Sequence, residues 1–322
     1  MSYSGIGGQA VMEGVMMKNG SRYAVAVRKP DGDIVMEAEE YQGILAGKKI
    51  GTLPFIRGVI NFIDSLILGM KTLNYSASFY EEDETDDSGS KNRRKEKEND
   101  QKGRDQKKES DMTGITMAIS MAAAIVIFML IPYFISSLFA EVIVSRILLS
   151  LLEGGIRLAV FLGYILLISR LKEIQMVFMY HGAEHKCINC IEQGLELNVE
   201  NVRKSSRLHK RCGTSFLFLV MFISIIFFLF IHTDSGVMRI MARLIMVPVI
   251  AGCAYEFIRL AGRSESALVH LLSMPGMALQ RMTTKEPDDS MIEVGIASVE
   301  AVFDWKEFLK KESVPRPGAE KL

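Results

Sequence analysis

The chain has 322 residues, 49% of them hydrophobic, with 38 Lys and Arg against 38 Asp and Glu. A neutral total offers no basic face for nucleic acid. Four Cys (187, 190, 212 and 253), behind an N-terminus with no charged and then apolar leader, give no disulfide framework.

Residues 1–50 read as a small β-rich unit. Tyr23–Arg28 and Ile34–Met36 are strand-like, and the Lys29-Pro30-Asp31-Gly32-Asp33 link is turn chemistry, so a hairpin is expected. Gly5, Gly7, Gly8 and Gly14 imply tight turns or close backbone approaches nearby. Gly7-Gly8-Gln9 matches the tripeptide of translation release factors, but no basic RNA-binding surface flanks it. Residues 54–75 are apolar at helical spacing and carry Arg57, Asp64 and Lys71. They predict an amphipathic helix on the membrane surface or partly inserted in it, in preference to a fifth span. Residues 81–111 hold interleaved acids and bases with almost nothing apolar, the composition of a disordered linker.

Four stretches then approach the ~20 apolar residues that a bilayer requires. They are 113–138, 143–168, 215–231 and 238–260. The loop 170–214 holds eight Lys and Arg, whereas the links at 140–142 and 232–238 hold none, with only Arg146 and Arg239 close by. That asymmetry places the loop and both termini in the cytoplasm. Glu153 and Arg157, four apart inside the second span, form either a salt bridge within the bundle or part of a substrate or proton path.

Just past the second span stands His181-Gly182-Ala183-Glu184-His185. Two His at i and i+4 share one helical face, with a carboxylate beside them. The pattern H-x-x-E-H is also the signature of inverzincin metallopeptidases. Cys187 and Cys190 point to the opposite side of the same helix. Two ligand sets are therefore open. In one, His181 and His185 bind a divalent metal, most naturally zinc, with a third ligand from His209, Cys212 or Glu256, and Glu184 serves as general base. In the other, Cys187-x-x-Cys190 joins His209-x-x-Cys212 in a closed structural zinc site.

The end of the chain continues the helical pattern through 264–276. A polar turn region follows at 280–289, then a closing strand or helix at 291–308. The segment 263–322 is expected to pack on the N-terminal unit.

Several blocks resemble one family in the same order: GGQAVMEGVMM (7–17), PFIRG (54–58), YHGAEHK (180–186), ENVRK (200–204), RCGTSF (211–216) and EPDD (286–289). They are similar to the YqhQ-like family of bacterial membrane proteins, built around a domain of unknown function and in part described as metal-dependent enzymes. The resemblance implies a multi-pass protein of the bacterial inner membrane and groups His181, Glu184, His185, His209 and Cys212 in one site. Cys187 lies outside the family's pattern, which counts against the closed set. The reading as a whole is a mainly α, four-span helical membrane protein with a small cytoplasmic α+β subdomain. Its expected function is a metal-dependent hydrolase acting on a membrane-proximal substrate, with a non-catalytic scaffold or a small transporter as rivals.

Overall fold

A computed structural model describes residues 3–81, 114–116, 118–231, 235–262, 264 and 266–313. Strands β1 (Ile6–Val11), β2 (Gly14–Asn19), β3 (Arg22–Arg28) and β4 (Ile34–Glu40) form an antiparallel meander in that order. The expected hairpin joins β3 to β4, with Arg28 opposite Ile34. The helices that follow are α1 (Ile56–Glu81), α2 (Gly114–Ser137), α3 (Arg146–Ile168) and α4 (Lys172–Glu192). Then come the short α5 (Val199–Lys204), α6 (Gly213–Phe230), α7 (Gly236–Ala261) and α8 (Ala267–Thr283). The chain closes with α9 (Asp289–Val302) and α10 (Trp305–Ser313).

Side chains alternate across the sheet with period two, and both faces are covered. Val15, Met17, Ala24 and Ala26 pack on α4 and α9 through Ala183, Cys187, Ile188, Val294 and Val299. Tyr23, Val25 and Val27 point the other way, onto Leu68 of α1. Strand β4 is one of the two edges, and Glu37, Glu39 and Glu40 on it discourage pairing with another chain.

Helices α2, α3, α6 and α7 are long and apolar enough to cross a membrane, each within a few residues of its expected bounds. Large apolar side chains point outward along them, among them Ile119, Leu148, Leu167, Phe230 and Ile245, as lipid contact requires. Helix α6 packs against α3, α7 and α8. Gly154 lets α3 come close, since a Cβ there would meet Ile225 at 2.8 Å. A π-helical turn at Val126–Leu130, just before Pro132, interrupts the α-helical ladder of α2.

The structure refines three expectations. The 54–75 segment is a 26-residue helix reaching Glu81, and it is not among the four helices apolar enough to span. Its Asp64 is buried and accepts bonds from the Tyr41 hydroxyl and the Ile44 N–H, both at 3.0 Å. The 280–289 region is helical as far as Thr283, and only 284–288 are extended. The 291–308 segment is two helices with no strand, because Asp288 caps α9 by accepting from Met291 N–H at 2.9 Å. Residues 82–111 of the expected linker lie outside the described residues.

Candidate metal centre

Helix α4 separates two environments. One face closes the sheet core through Tyr180, Ala183, Cys187, Ile188 and Ile191. The other is polar and faces the loop between α5 and α6. That loop turns main-chain carbonyls toward the helix, and buried donors on α4 satisfy them. Lys186 Nζ donates to Arg203 O at 2.8 Å and Ser205 O at 2.9 Å. Asn189 Nδ2 donates to Ser206 O at 2.6 Å and Leu208 O at 3.0 Å. The loop is thereby fixed along α4 and delivers Cys212 beside the His pair.

His181 Nε2, His185 Nε2 and Cys212 Sγ all lie within 4.8 Å of one another, with Nε2 of His181 3.3 Å from the sulfur. Each imidazole donates its other nitrogen's proton to a carbonyl: His181 Nδ1 to Thr283 O at 3.0 Å, and His185 Nδ1 to Arg207 O at 2.6 Å. These bonds select the tautomer whose Nε2 lone pair faces the sulfur, the usual outer support of a metal-binding His. Donors around a tetrahedral zinc stand about 3.3–3.8 Å apart, so the cluster suits such an ion after a small contraction. Glu184 Oε2 is 3.8 Å from His181 Nε2 and 3.9 Å from His185 Nε2.

The electrostatics favour anionic sulfur. Burial alone would raise the Cys212 thiol, but the two imidazoles bring it well below its ordinary value. Cys212 also caps α6, and its sulfur accepts from Thr214 N–H at 3.3 Å. Burial opposes protonation of His181, yet the Cys212 sulfur and Glu184 outweigh it and lift the imidazole to about 9. His185 is raised for the same reasons. A cation taken up by these atoms therefore displaces protons.

The remaining predicted ligands stand elsewhere. The structure places His209 against Glu192, with Nε2 3.5 Å from Oε2, and Arg211 bonds the same carboxylate. Burial would raise Glu192, but His209, Arg211 and Ser4 bring it down to about 2. Glu256 is held by Arg57 of α1, whose Nε donates to Oε1 at 2.6 Å. Cys187 and Cys190 lie on the core side, where burial pushes both thiols up. Cys187 faces Gly295 of α9, and Cys190 Sγ donates to Glu196 O at 3.4 Å. Among the described residues, the closed four-ligand set is not assembled.

Gly182 escaped the sequence reading, whereas Gly8 stood among the glycines expected at a close approach. Gly182, between the ligands, admits the extended 284–288 segment: a Cβ there would lie 2.0 Å from Lys285 O. A Gly inside a helix costs about 1 kcal/mol relative to Ala, which was the available signal. Gly8 of β1 does the same for Glu184, whose Cγ would meet a Cβ at 2.7 Å.

No solved structure matches the chain. The chain is 35% identical over 304 residues to the Bacillus subtilis (strain 168) protein named "Uncharacterized protein YqhQ", a match that covers 91% of this chain and 90% of that one. Residues 53–305 match the family described as "Protein of unknown function (DUF1385)". In sequence the chain thus belongs to that family, in agreement with the motif blocks that resemble it.

Proposed function

We propose that the chain is a metal-dependent integral membrane hydrolase, in which His181, His185 and Cys212 hold one divalent cation, most naturally zinc. The observation that carries this reading is the pair of Nδ1–H bonds to Thr283 O and Arg207 O, which leaves both Nε2 atoms to exchange a proton for a cation beside one thiolate. Two nitrogens and a sulfur are donors zinc prefers. The bound cation would supply Lewis acidity, polarising a carbonyl and acidifying water.

Glu184, beside both imidazoles, is placed to take a proton from the attacking water and return it to the leaving group. His181 keeps 17% of its side chain exposed against 1% for His185, so the site opens on the His181 side. The eight Lys and Arg of 170–214 support a cytoplasmic site in a bacterial inner membrane, with both termini cytoplasmic. The substrate class that fits is a membrane-proximal ester or amide, from a peptide or a lipid.

A second reading is a structural metal in a non-catalytic scaffold. It is favoured by Glu184 being only 5% exposed, near enough to close the coordination sphere as a fourth ligand. Elemental analysis of purified protein tests both readings. Wild type should carry about one ion per chain, and His181→Ala/His185→Ala should carry none; equal content in the two would sink the metal site. A Glu184→Gln variant that keeps the ion but no longer cleaves a panel of fluorogenic lipid esters and peptide amides supports hydrolysis. Loss of the ion from that variant supports the structural role.

A further inference from the structure

The turn before α1 reaches far down the side of α7. The Ala261 end of α7 lies on the sheet side of the bundle: a Cβ on Gly262 would meet Arg211 Cδ at 2.5 Å, and Arg211 bonds Glu192 of α4. Gly252 is nine residues back from that end, about 13.5 Å along the helix. A Cβ on Gly252 would lie 3.1 Å from Phe55 Cα, Cβ and O, and one on Gly58 would lie 2.9 Å from Tyr255 Cβ. With 26 residues, α7 is about 39 Å long, against about 30 Å of hydrocarbon. Even with the whole excess of about 9 Å at this end, Gly252 and the Phe55 beside it lie about 4.5 Å inside the hydrocarbon.

The chain enters and leaves this depth from one side. Ile44, on the way in, and Asp64, on the way out along α1, are joined by the Ile44 N–H bond to the Asp64 carboxylate at 3.0 Å. Phe55, at the reversal, has φ +66°, a left-handed conformation that makes the turn sharp. Leu53, Phe55 and Ile56 are 40–51% exposed, and Val247 and Val249, a little deeper along α7, are exposed too, so apolar surface continues from the turn onto the span.

The polar groups at this depth are matched. Between 53 and 60 the one ionic side chain is Arg57. Glu256 neutralises it, accepting from Arg57 Nε at 2.6 Å and from Nη2, and a paired charge is the kind a membrane interior tolerates. Phe55 N–H donates to Glu256 Oε1 at 3.4 Å, Ile56 N–H to Pro54 O at 2.8 Å and Arg57 N–H to Leu53 O at 3.0 Å. Pro54 has no N–H to satisfy. Non-helical backbone survives at membrane depth where the protein supplies such partners.

We propose that residues 53–60 form a re-entrant turn in the leaflet nearest the sheet, with Leu53, Phe55 and Ile56 packed against lipid acyl chains.

The test adds one Trp at a time to the full chain, in nanodiscs of phosphatidylcholine brominated on its acyl chains. The native Trp305, buried in the sheet core, gives the background. Phe55→Trp should lose most of its added emission in brominated relative to plain lipid, and aqueous iodide should leave that emission unchanged. Ile56→Trp, within α1 itself, should behave alike, and it serves if the Phe55 turn does not accept Trp. Ser78→Trp, toward the far end of α1, should show the reverse pattern. Emission from positions 55 and 56 that iodide quenches and bromolipid does not would place the turn in water. Emission that neither quencher reaches would place it under protein, a second copy of the chain included. Either result overturns the proposal.

Discussion

Gly182→Ala attacks the metal centre without touching a ligand. The added Cβ would lie 2.0 Å from Lys285 O, so that carbonyl must retreat by about 1 Å or more, an overpacking that costs about 1–3 kcal/mol. The 284–288 segment is tied to α4 by the Lys285 N–H bond to Phe178 O at 2.9 Å, and Thr283 O precedes it by two residues. Displacing it stretches the 3.0 Å bond from His181 Nδ1 to Thr283 O past the hydrogen-bond limit. That adds about 0.5–1.5 kcal/mol, for a stability loss of about 1.5–4.5 kcal/mol in all. Losing the partner that orients a metal-binding His lowers affinity about 10–100-fold. Zinc affinity is measured by competition with a chromophoric chelator, and folding by the thermal midpoint of the same sample. A folded Gly182→Ala protein that binds zinc as tightly as wild type would refute the claim that Thr283 O sets the His181 donor.

The two remaining predictions separate the ligands from their neighbours. Cys212→Ala should lose the bound ion while Cys187→Ala keeps it, as read by elemental analysis; the reverse result would restore the set built on the Cys pair. The second concerns acid. Glu192 is depressed to about 2 in the folded chain, against about 4.3 unfolded. Its contribution is complete above the unfolded value and fades as pH falls through the folded one. The shift corresponds to about 3 kcal/mol. Glu192→Gln should therefore lower stability at pH 7 and flatten its decline between about pH 5 and pH 2; an unchanged acid limb would contradict the assignment.

Periodicity made the four spans and the His181/His185 face legible, because both depend only on side chains of consecutive residues. The choice among His209, Cys212 and Glu256 was not legible in that way. It depends on the course of the 205–212 loop, which Lys186 and Asn189 fix by capturing backbone carbonyls, and carbonyls carry no residue-specific mark. Glu256 had a readable partner in Arg259, yet tertiary packing gives it Arg57 from a helix about two hundred residues earlier in the chain. The strand-or-helix ambiguity at 291–308 was avoidable: Asp288 three residues before Met291, at the head of an apolar run spaced 291, 292, 294, 299 and 302, is a helix start.

The sheet near the N-terminus closes its core with residues from the other end of the chain, Met291 to Val302. Between β3 and that helix the ribosome makes 260 further residues, including all four apolar spans. At about 5–20 residues per second this takes roughly 13–52 s. Throughout that interval the Val15, Met17, Ala24 and Ala26 face has no α9 to cover it. The sheet is thus completed only after all four spans have been made, and the metal centre, which needs Thr283 O, waits for the same late segment.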